Sequence, residues 1–341
     1  MNDLSRVWFA GSNHSLRSFR KIAAFCLGFL LAGVGVAQAA DTLRIAAQKA
    51  GTFSWELDVI KDHGLDKKAG IDLDVTELAT TEAGKVAIMG GSADVILSDW
   101  LWVSRERSLG GKLKFYPYSS TLGAVMVPPG SPIKTLADLK DKKLGVAGGP
   151  LDKSWLLLQA YAKNSDVDLD SDATILYGAP PLLLQESLQR KDDATLNFWN
   201  FCAALETKGF KRLIGIEDVE KALGASGRVA MVGYVFDETY AASHADLLRR
   251  FFAMTAQAQD ILAHSTEDWK KIGEKIGVTD PAALEIYRKR YLEGAAHRSV
   301  ADEEADARKL YLVLAGIGGA KLVGPAADLD AGTFYKDAAG K

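Results

Sequence analysis

Three short segments carry the side chains that could recognise a ligand. The first is Gly90-Gly91-Ser92-Ala93-Asp94-Val95-Ile96-Leu97-Ser98-Asp99-Trp100, in which an apolar run delivers Ser98, Asp99 and Trp100 at its end. The second is Gly148-Gly149-Pro150, followed by Asp152, Ser154 and Trp155. The third places Asn197, Trp199 and Asn200 after another short apolar run, and Trp55 stands beside Glu56 near the start. Indole faces next to carboxylates suit a planar or cationic ligand. Free backbone amides around Gly149 and Ser154, at a helix start, would suit an anion, although Asp152 would oppose one there. An Asn both donates and accepts, so it can orient a polar ligand. Each feature has a plainer reading: core packing for the tryptophans, an N-cap for Asp99, and turn chemistry for the asparagines. Trp102 reads as core.

Motifs for catalysis or metal binding are missing. There is no Gly-x-Ser-x-Gly, no phosphate loop and no Cys-x-x-Cys. Asp166, Asp168, Asp170 and Asp172 alternate, but Ser171 and Tyr177 occupy the positions where a calcium loop needs Gly and Glu. His63, His244, His264 and His297 show no ligand spacing. No metal and no cofactor are expected.

The elements that must position these residues follow from periodicity. Residues 42–48 alternate into a strand, residues 53–63 form a helix, residues 71–78 alternate strictly, and residues 82–89 form a helix capped by Thr81. With a strand over 93–97, this is β-α-β-α-β, which implies parallel strands joined by right-handed crossovers. In open α/β sheets ligands sit at the carboxyl ends of strands, where Ser98 and Asp99 stand. Strands over 112–118 and 121–127 lead to Pro128-Pro129-Gly130-Ser131-Pro132, read as a stiff crossover. The pattern then restarts, with strands over 143–146, 173–177, 194–197 and 210–216 separated by helices. Val229 to Val235 reads as a returning strand, and the chain beyond Asp246 is almost wholly helical. The fold class is α/β, with two lobes, each a mostly parallel sheet flanked by helices, joined by two crossovers around a cleft. The expected limits are 41–128 plus 235–341 for one lobe, carrying the C-terminal helices, and 129–234 for the other.

The first forty residues differ in kind. Arg17, Arg20 and Lys21 precede an apolar run over 22–36 and the small residues Ala37-Gln38-Ala39, the layout of a cleaved signal peptide over 1–40. Its removal takes the net charge from −3 to −6, which argues against nucleic acid as a partner. Cys202 alone remains of two cysteines, so no disulfide can form within the processed chain. A monomer in the periplasm is the simplest expectation.

Gly130-Ser131-Pro132-Ile133-Lys134-Thr135-Leu136-Ala137-Asp138-Leu139-Lys140, continuing through Leu144-Gly145-Val146, resembles a motif of periplasmic substrate-binding proteins of ABC importers. The nearest branch is the nitrate/sulfonate/taurine type, which also takes in thiamine-precursor binders. Gly91-Ser92-Ala93-Asp94-Val95 is similar to that branch's strand-entry motif, and Leu329-Asp330 with Phe334 to its closing segment. The resemblance implies a type II-like clamshell that captures a small solute and hands it to an inner-membrane ABC permease. The family's sulfonate ligands and the residues' own pointer, a planar, heterocyclic or cationic solute, both stand. Related enzymes of pyrimidine synthesis carry a Cys-rich motif that this sequence lacks, so no enzyme activity is expected. An exported sensor or accessory binding module is the alternative. The expected contact set is Trp55, Ser98, Asp99, Trp100, Gly149, Ser154, Trp155, Asn197, Trp199 and Asn200.

Overall fold

The computed structural model describes residues 40–49, 51–295 and 298–336; the signal-peptide reading falls outside them apart from Ala40. Two five-stranded sheets are built on one plan. The first holds β1 (Asp41–Gln48), β2 (Ile71–Leu78), β3 (Val95–Asp99) and β4 (Leu113–Ser119), and the second holds β5 (Gly123–Val127), β6 (Lys143–Ala147), β7 (Thr174–Gly178), β8 (Ala194–Phe198) and β9 (Lys211–Gly215). The last strand, β10 (Val232–Asp237), returns to the first sheet. The strand orders are β2-β1-β3-β10-β4 and β7-β6-β8-β5-β9. Four strands in each sheet run in one direction, and the strand that arrives from the other sheet, β10 or β5, runs antiparallel to both its neighbours.

Local sequence explains these elements. β2 alternates, with Ile71 and Leu73 buried and Asp72 and Asp74 exposed, as the two-residue period of a half-buried strand requires. β3 is buried along nearly its whole length, as an inner parallel strand should be. The cap of the helix Thr81–Met89 is Thr80 rather than Thr81, since the Ala83 N–H donates to the Thr80 hydroxyl at 3.2 Å. Asp94 of the strand-entry motif receives the Arg44 backbone N–H at 2.9 Å and its guanidinium at 2.5 Å, tying β3 to β1. Asp138 of the longer motif closes a capping box with Thr135 on a short 3₁₀ turn. Both motifs hold the scaffold.

The passage between sheets differs from the expectation. β5 pairs with β8 and β9, so the chain changes sheets at 120–122, and the proline cluster at 128–132 follows a strand of the second sheet instead of joining the two. The return lies between β9 and β10, and it includes an unexpected helix, Ile216–Ala222. The C-terminal helices also reach both sheets. Val300–Val323 packs on Trp100–Ser108 and on Lys153–Lys163, while Pro281–Glu293 packs on Trp199–Glu206. The tail extends the edge of β4, where the Phe115 N–H donates to the Thr333 carbonyl and the Tyr335 N–H to the Phe115 carbonyl, both at 2.8 Å. That pairing covers an edge otherwise open to association. Asp41–Lys341 packs as one compact unit, with apolar side chains of both sheets in a common cluster.

The passage at 120–122 is clamped by the end of the helix Pro281–Glu293. The Ser120 N–H donates to the Gly294 carbonyl at 2.9 Å, and the Thr121 hydroxyl donates to the Arg290 carbonyl at 3.4 Å. A Cβ at Gly294 would lie 1.4 Å from the Thr121 Oγ1 and 2.7 Å from its backbone nitrogen. Gly294→Ala is therefore expected to destabilise the protein by about 1–3 kcal/mol, the range for overpacking. Because the backbone clash persists, adding Thr121→Ala should recover only part of the loss. Chemical denaturation of the two variants reads both effects.

Candidate functional site

The carboxyl ends of the two sheets face each other, and two side-chain pairs join them. Asp99 ends β3 and caps the helix Trp100–Ser108, accepting the Trp102 N–H at 2.8 Å. Its other oxygen receives the Lys153 ammonium at 2.9 Å, from the helix that follows β6. Burial opposes the charge on Asp99, but Lys153, Lys85 and the Trp102 N–H outweigh it and hold the carboxyl below its usual range. Burial likewise opposes the Lys153 charge, and Asp99, Asp152 and Glu82 outweigh it and raise its pKa. Each ion keeps its charge chiefly through the other. On either side of Asp99, the Ser98 hydroxyl and the Trp100 indole N–H are buried with no hydrogen-bond partner. An unmade hydrogen bond of this kind costs about 1–3 kcal/mol.

The second pair is aromatic. Trp55, on the helix Thr52–Asp62 after β1, meets Trp199 after β8 edge to face, at 5.9 Å between ring centroids. Trp269 lies 6.1 Å from Trp55, and Tyr291 lies 6.4 Å from Trp199 and 5.7 Å from Trp269. The four rings form a closed cluster in which Trp199 is the only member from the second sheet. Behind it, Glu56 is completely buried. Its Oε1 receives the hydroxyls of Tyr118, at 2.8 Å, and of Tyr291, and the Gln259 amide at 3.4 Å. Its Oε2 has no partner. Burial pushes the carboxyl up to about 7, and the donations of Tyr291, Tyr118 and Gln259 pull back against that.

Several predicted residues occupy their plainer roles in this structure. The amides of Ser154 and Trp155 donate to Asp152, at 2.9 and 3.2 Å, so the helix start near Gly149 is capped from within and its amides are not free for an anion. Gly148 permits this, because a Cβ there would sit 2.8 Å from the Asp152 carboxylate. Asn197 is spent on the backbone, its amide donating to the Pro180 carbonyl at 3.1 Å and its oxygen accepting the Phe198 N–H at 2.9 Å. Trp100 and Trp155 lie in the apolar core rather than along an opening. Trp102 is half-buried under the Lys85 ammonium, 5.2 Å from the ring centroid. Gly149 and Asn200 are half-buried.

The sequence reading passed over Lys153, Tyr118, Gln259, Trp269 and Tyr291. A lysine at a helix start reads as surface charge, and the others lie far from any motif. A cavity of about 500 Å³ runs between the helices Thr52–Asp62 and Thr266–Ile276, with Trp55 in its lining and away from the Asp99–Lys153 pair. Its rim is already paired, Lys271 with Asp62 at 2.6 Å and Lys275 with Asp58 at 2.5 Å. The Cys202 thiol is buried and pushed up to about 12 by burial, so it is no nucleophile.

The Glu56 carboxyl sets a pH dependence. A carboxyl raised on folding holds its proton more tightly in the folded state, so its contribution to stability is whole below its unfolded value and fades as pH climbs through the folded one. Glu220, raised to about 8, and Glu303, raised to about 7, act in the same direction. The protein is expected to lose stability between about pH 5 and pH 8. Glu56→Gln should flatten that slope by about 2–3 kcal/mol. Urea denaturation at stepped pH checks both.

Residues 59–267 match the protein-family model described as NMT1/THI5 like. A comparison with curated protein sequences finds no match. Among solved structures, the chain is similar to the alkanesulfonate-binding protein SsuA from Xanthomonas axonopodis pv. citri bound to MOPS, at 20% identity and a TM-score of 0.65, over 88% of this chain and 99% of that one. It is similar to the periplasmic aliphatic sulphonate binding protein SsuA from Escherichia coli, at 19% identity and a TM-score of 0.66, over 87% and 94%. It is also similar to the desulfurization enzyme DSZB, at 14% identity and a TM-score of 0.56, over 82% and 92%. Identities this low speak to the fold. The family match spans well over half of the 341 residues, so the chain belongs to the NMT1/THI5-like family and has the two-lobed α/β fold of periplasmic binding proteins.

Proposed function

We propose that this protein is the solute-binding receptor of an ABC importer, exported to the periplasm behind a signal peptide at 1–40. It would capture a small organic solute between two lobes and present the closed form to a membrane permease. The observation that supports this most directly is that the carboxyl ends of two sheets meet through side chains from both, Asp99 with Lys153 and Trp55 with Trp199. That is where ligands lie in open α/β sheets. No helix among the described residues is long and apolar enough to cross a membrane. We assign the lobes by sheet membership, 41–119 with 232–336 and 123–215, in place of the limits read from the proline cluster.

In this reading the closed seam is one member of an equilibrium, and solute shifts it by binding both lobes at once. The contact set we propose is Trp55, Glu56, Asp99, Lys153 and Trp199, with Ser98 offering an unpaired hydroxyl beside them. The DSZB likeness supports an enzyme as a second reading, whose catalytic groups would have to lie elsewhere than Cys202.

Solute is expected to raise the melting temperature by linkage, since it binds the folded state alone. It should also change the fluorescence of Trp55 and Trp199. A thermal-shift screen over alkanesulfonates, nitrate, pyrimidines and cationic amines checks this, with the bound compound then followed by mass spectrometry. A stabilising compound recovered unchanged supports the receptor. Turnover of that compound would move the protein to the enzyme reading, and no stabilisation by any class would remove the receptor reading.

A further inference from the structure

We propose that Glu220 and Glu303 form a proton-dependent latch on the return passage between the lobes. Holding a proton, the pair keeps the passage joined to the helix Val300–Val323. With both carboxyls ionised the passage comes loose and the lobes part more readily. This requires two lobes and no assignment of solute, so it goes beyond the receptor reading without resting on it.

The position of the two carboxyls carries the inference. The chain leaves the second sheet at Gly215 and enters the first at Val232, so residues 216–231 join the lobes. Near the end of that passage the Val229 N–H donates to the Glu220 Oε2 at 3.4 Å, and the next amide, Ala230, donates to the Glu303 Oε2 at 2.7 Å. Two successive amides thus gather one carboxyl from each of two helices. Both side chains are buried, and the Glu220 Oε1 has no partner. The same passage is tied to its neighbour twice more. The Ser226 hydroxyl donates to Asp306 at 2.7 Å, and the Arg298 guanidinium donates to the Arg228 carbonyl at 2.8 Å.

The surrounding charges leave the pair uncompensated. Glu303, Glu217 and Arg228 act on Glu220, and Arg298, Asp306 and Asp302 act on Glu303. Both arginines are engaged elsewhere, Arg298 with Asp306 at 2.7 Å and Arg228 with Glu217 at 3.8 Å. The elements packed against the two helices bring Lys153, paired with Asp99, Arg105, paired with Glu106, and Arg107 and Lys114, both paired with Glu238. They also bring Arg212, paired with Glu206 and Glu217, while Lys163 and Lys211 are exposed. Burial lifts Glu220 to about 8, opposed by the Val229 N–H and Arg228 and reinforced by Glu303 and Glu217. Burial likewise lifts Glu303 to about 7, opposed by the Ala230 N–H and Arg298.

The strain acts across the lobe boundary. The helix Ile216–Ala222, which carries Glu220, packs on β5, β9 and the helix Lys153–Lys163, all belonging to the second sheet. Glu303 lies in the first turn of a helix that follows the first sheet's last strand. An arrangement that separates the two carboxyls, or lets water reach them, returns both toward ordinary values and holds protons less tightly. Linkage then sets the sign. Acid favours the joined passage, and a rise through pH 7 to 8 favours the parted one.

The test is hydrogen exchange of the purified protein at pH 6 and pH 8.5, corrected for the intrinsic effect of pH, with small-angle scattering of the same samples. Exchange at Val229 and Ala230 is expected to rise by at least about tenfold over that range, well beyond any rise at Leu43 and Ile45 in β1, and the radius of gyration is expected to increase. Glu220→Gln keeps the shape of the side chain and removes its charge, so both responses should disappear in it. Unchanged exchange at the two passage amides overturns the latch. An equal rise in β1, an unchanged radius of gyration, or a Glu220→Gln variant that responds like the unaltered protein does so as well. Where Glu220→Gln fails to fold, Glu303→Gln replaces it, and the two readouts on the unaltered protein decide the question without either variant. No solute enters the experiment, so its failure leaves the receptor reading where it was.

Discussion

The structure depends on the meeting of two sheet ends through one ion pair drawn out of water. Asp99 and Lys153 come from different sheets, and each lies where burial disfavours its charge. Alone, either would be a buried or half-buried ion without a partner, the arrangement that destabilises a fold most. Together they form a charge-assisted hydrogen bond at 2.9 Å and fix the spacing of β3 against the helix after β6. Trp55 and Trp199 do the same with apolar surface, both buried where their rings meet. Closing the seam is therefore a property of the pair of sheets.

Much of the scaffold was legible in the sequence, and the reasons are local. The limits 71–78 are those of β2, and burial alternates along it as far as Thr76, because one face of that edge strand is buried. Val95, Ile96 and Leu97 announce an inner strand by being apolar without alternation. The motifs that carry the family resemblance proved to be joints of the frame: Asp94 bonds Arg44 across two strands, and Asp138 caps a turn. Such residues mark the architecture and say nothing about the ligand.

The rest was hidden because it depends on pairing over long sequence distances. Which sheet β5 joins is decided by its partners β8 and β9, and no period within 123–127 encodes that choice. The proline cluster stood out as punctuation, while the true passage at 120–122 is ordinary in composition. The site was obscured in the same way. Trp55 could be named from its position after β1, but the partners of its neighbour Glu56 come from residues 118, 259 and 291. Asp152 and Asn197 show the opposite error, since polar residues at strand ends invite a ligand reading, and here nearby backbone groups occupy them.

The topology limits how the two sheets can separate. Each receives its antiparallel strand from the other, through three residues at 120–122 in one direction and through 216–231 in the other. The short passage is tied to the end of the helix Pro281–Glu293, and Arg290 of that helix bonds Glu206 on the second sheet's helix at 3.0 Å. Glu206 also takes Arg212 at 2.7 Å, and Arg212 reaches Glu217 at the start of the long passage. Both passages are thus held by one run of ion pairs, and the ring cluster lies beside it, since Tyr291 adjoins Arg290 and Trp199 shares a helix with Glu206. The Asp99–Lys153 pair joins the sheets through the helix after β6, apart from that run, and it is among the side chains we assign to the solute.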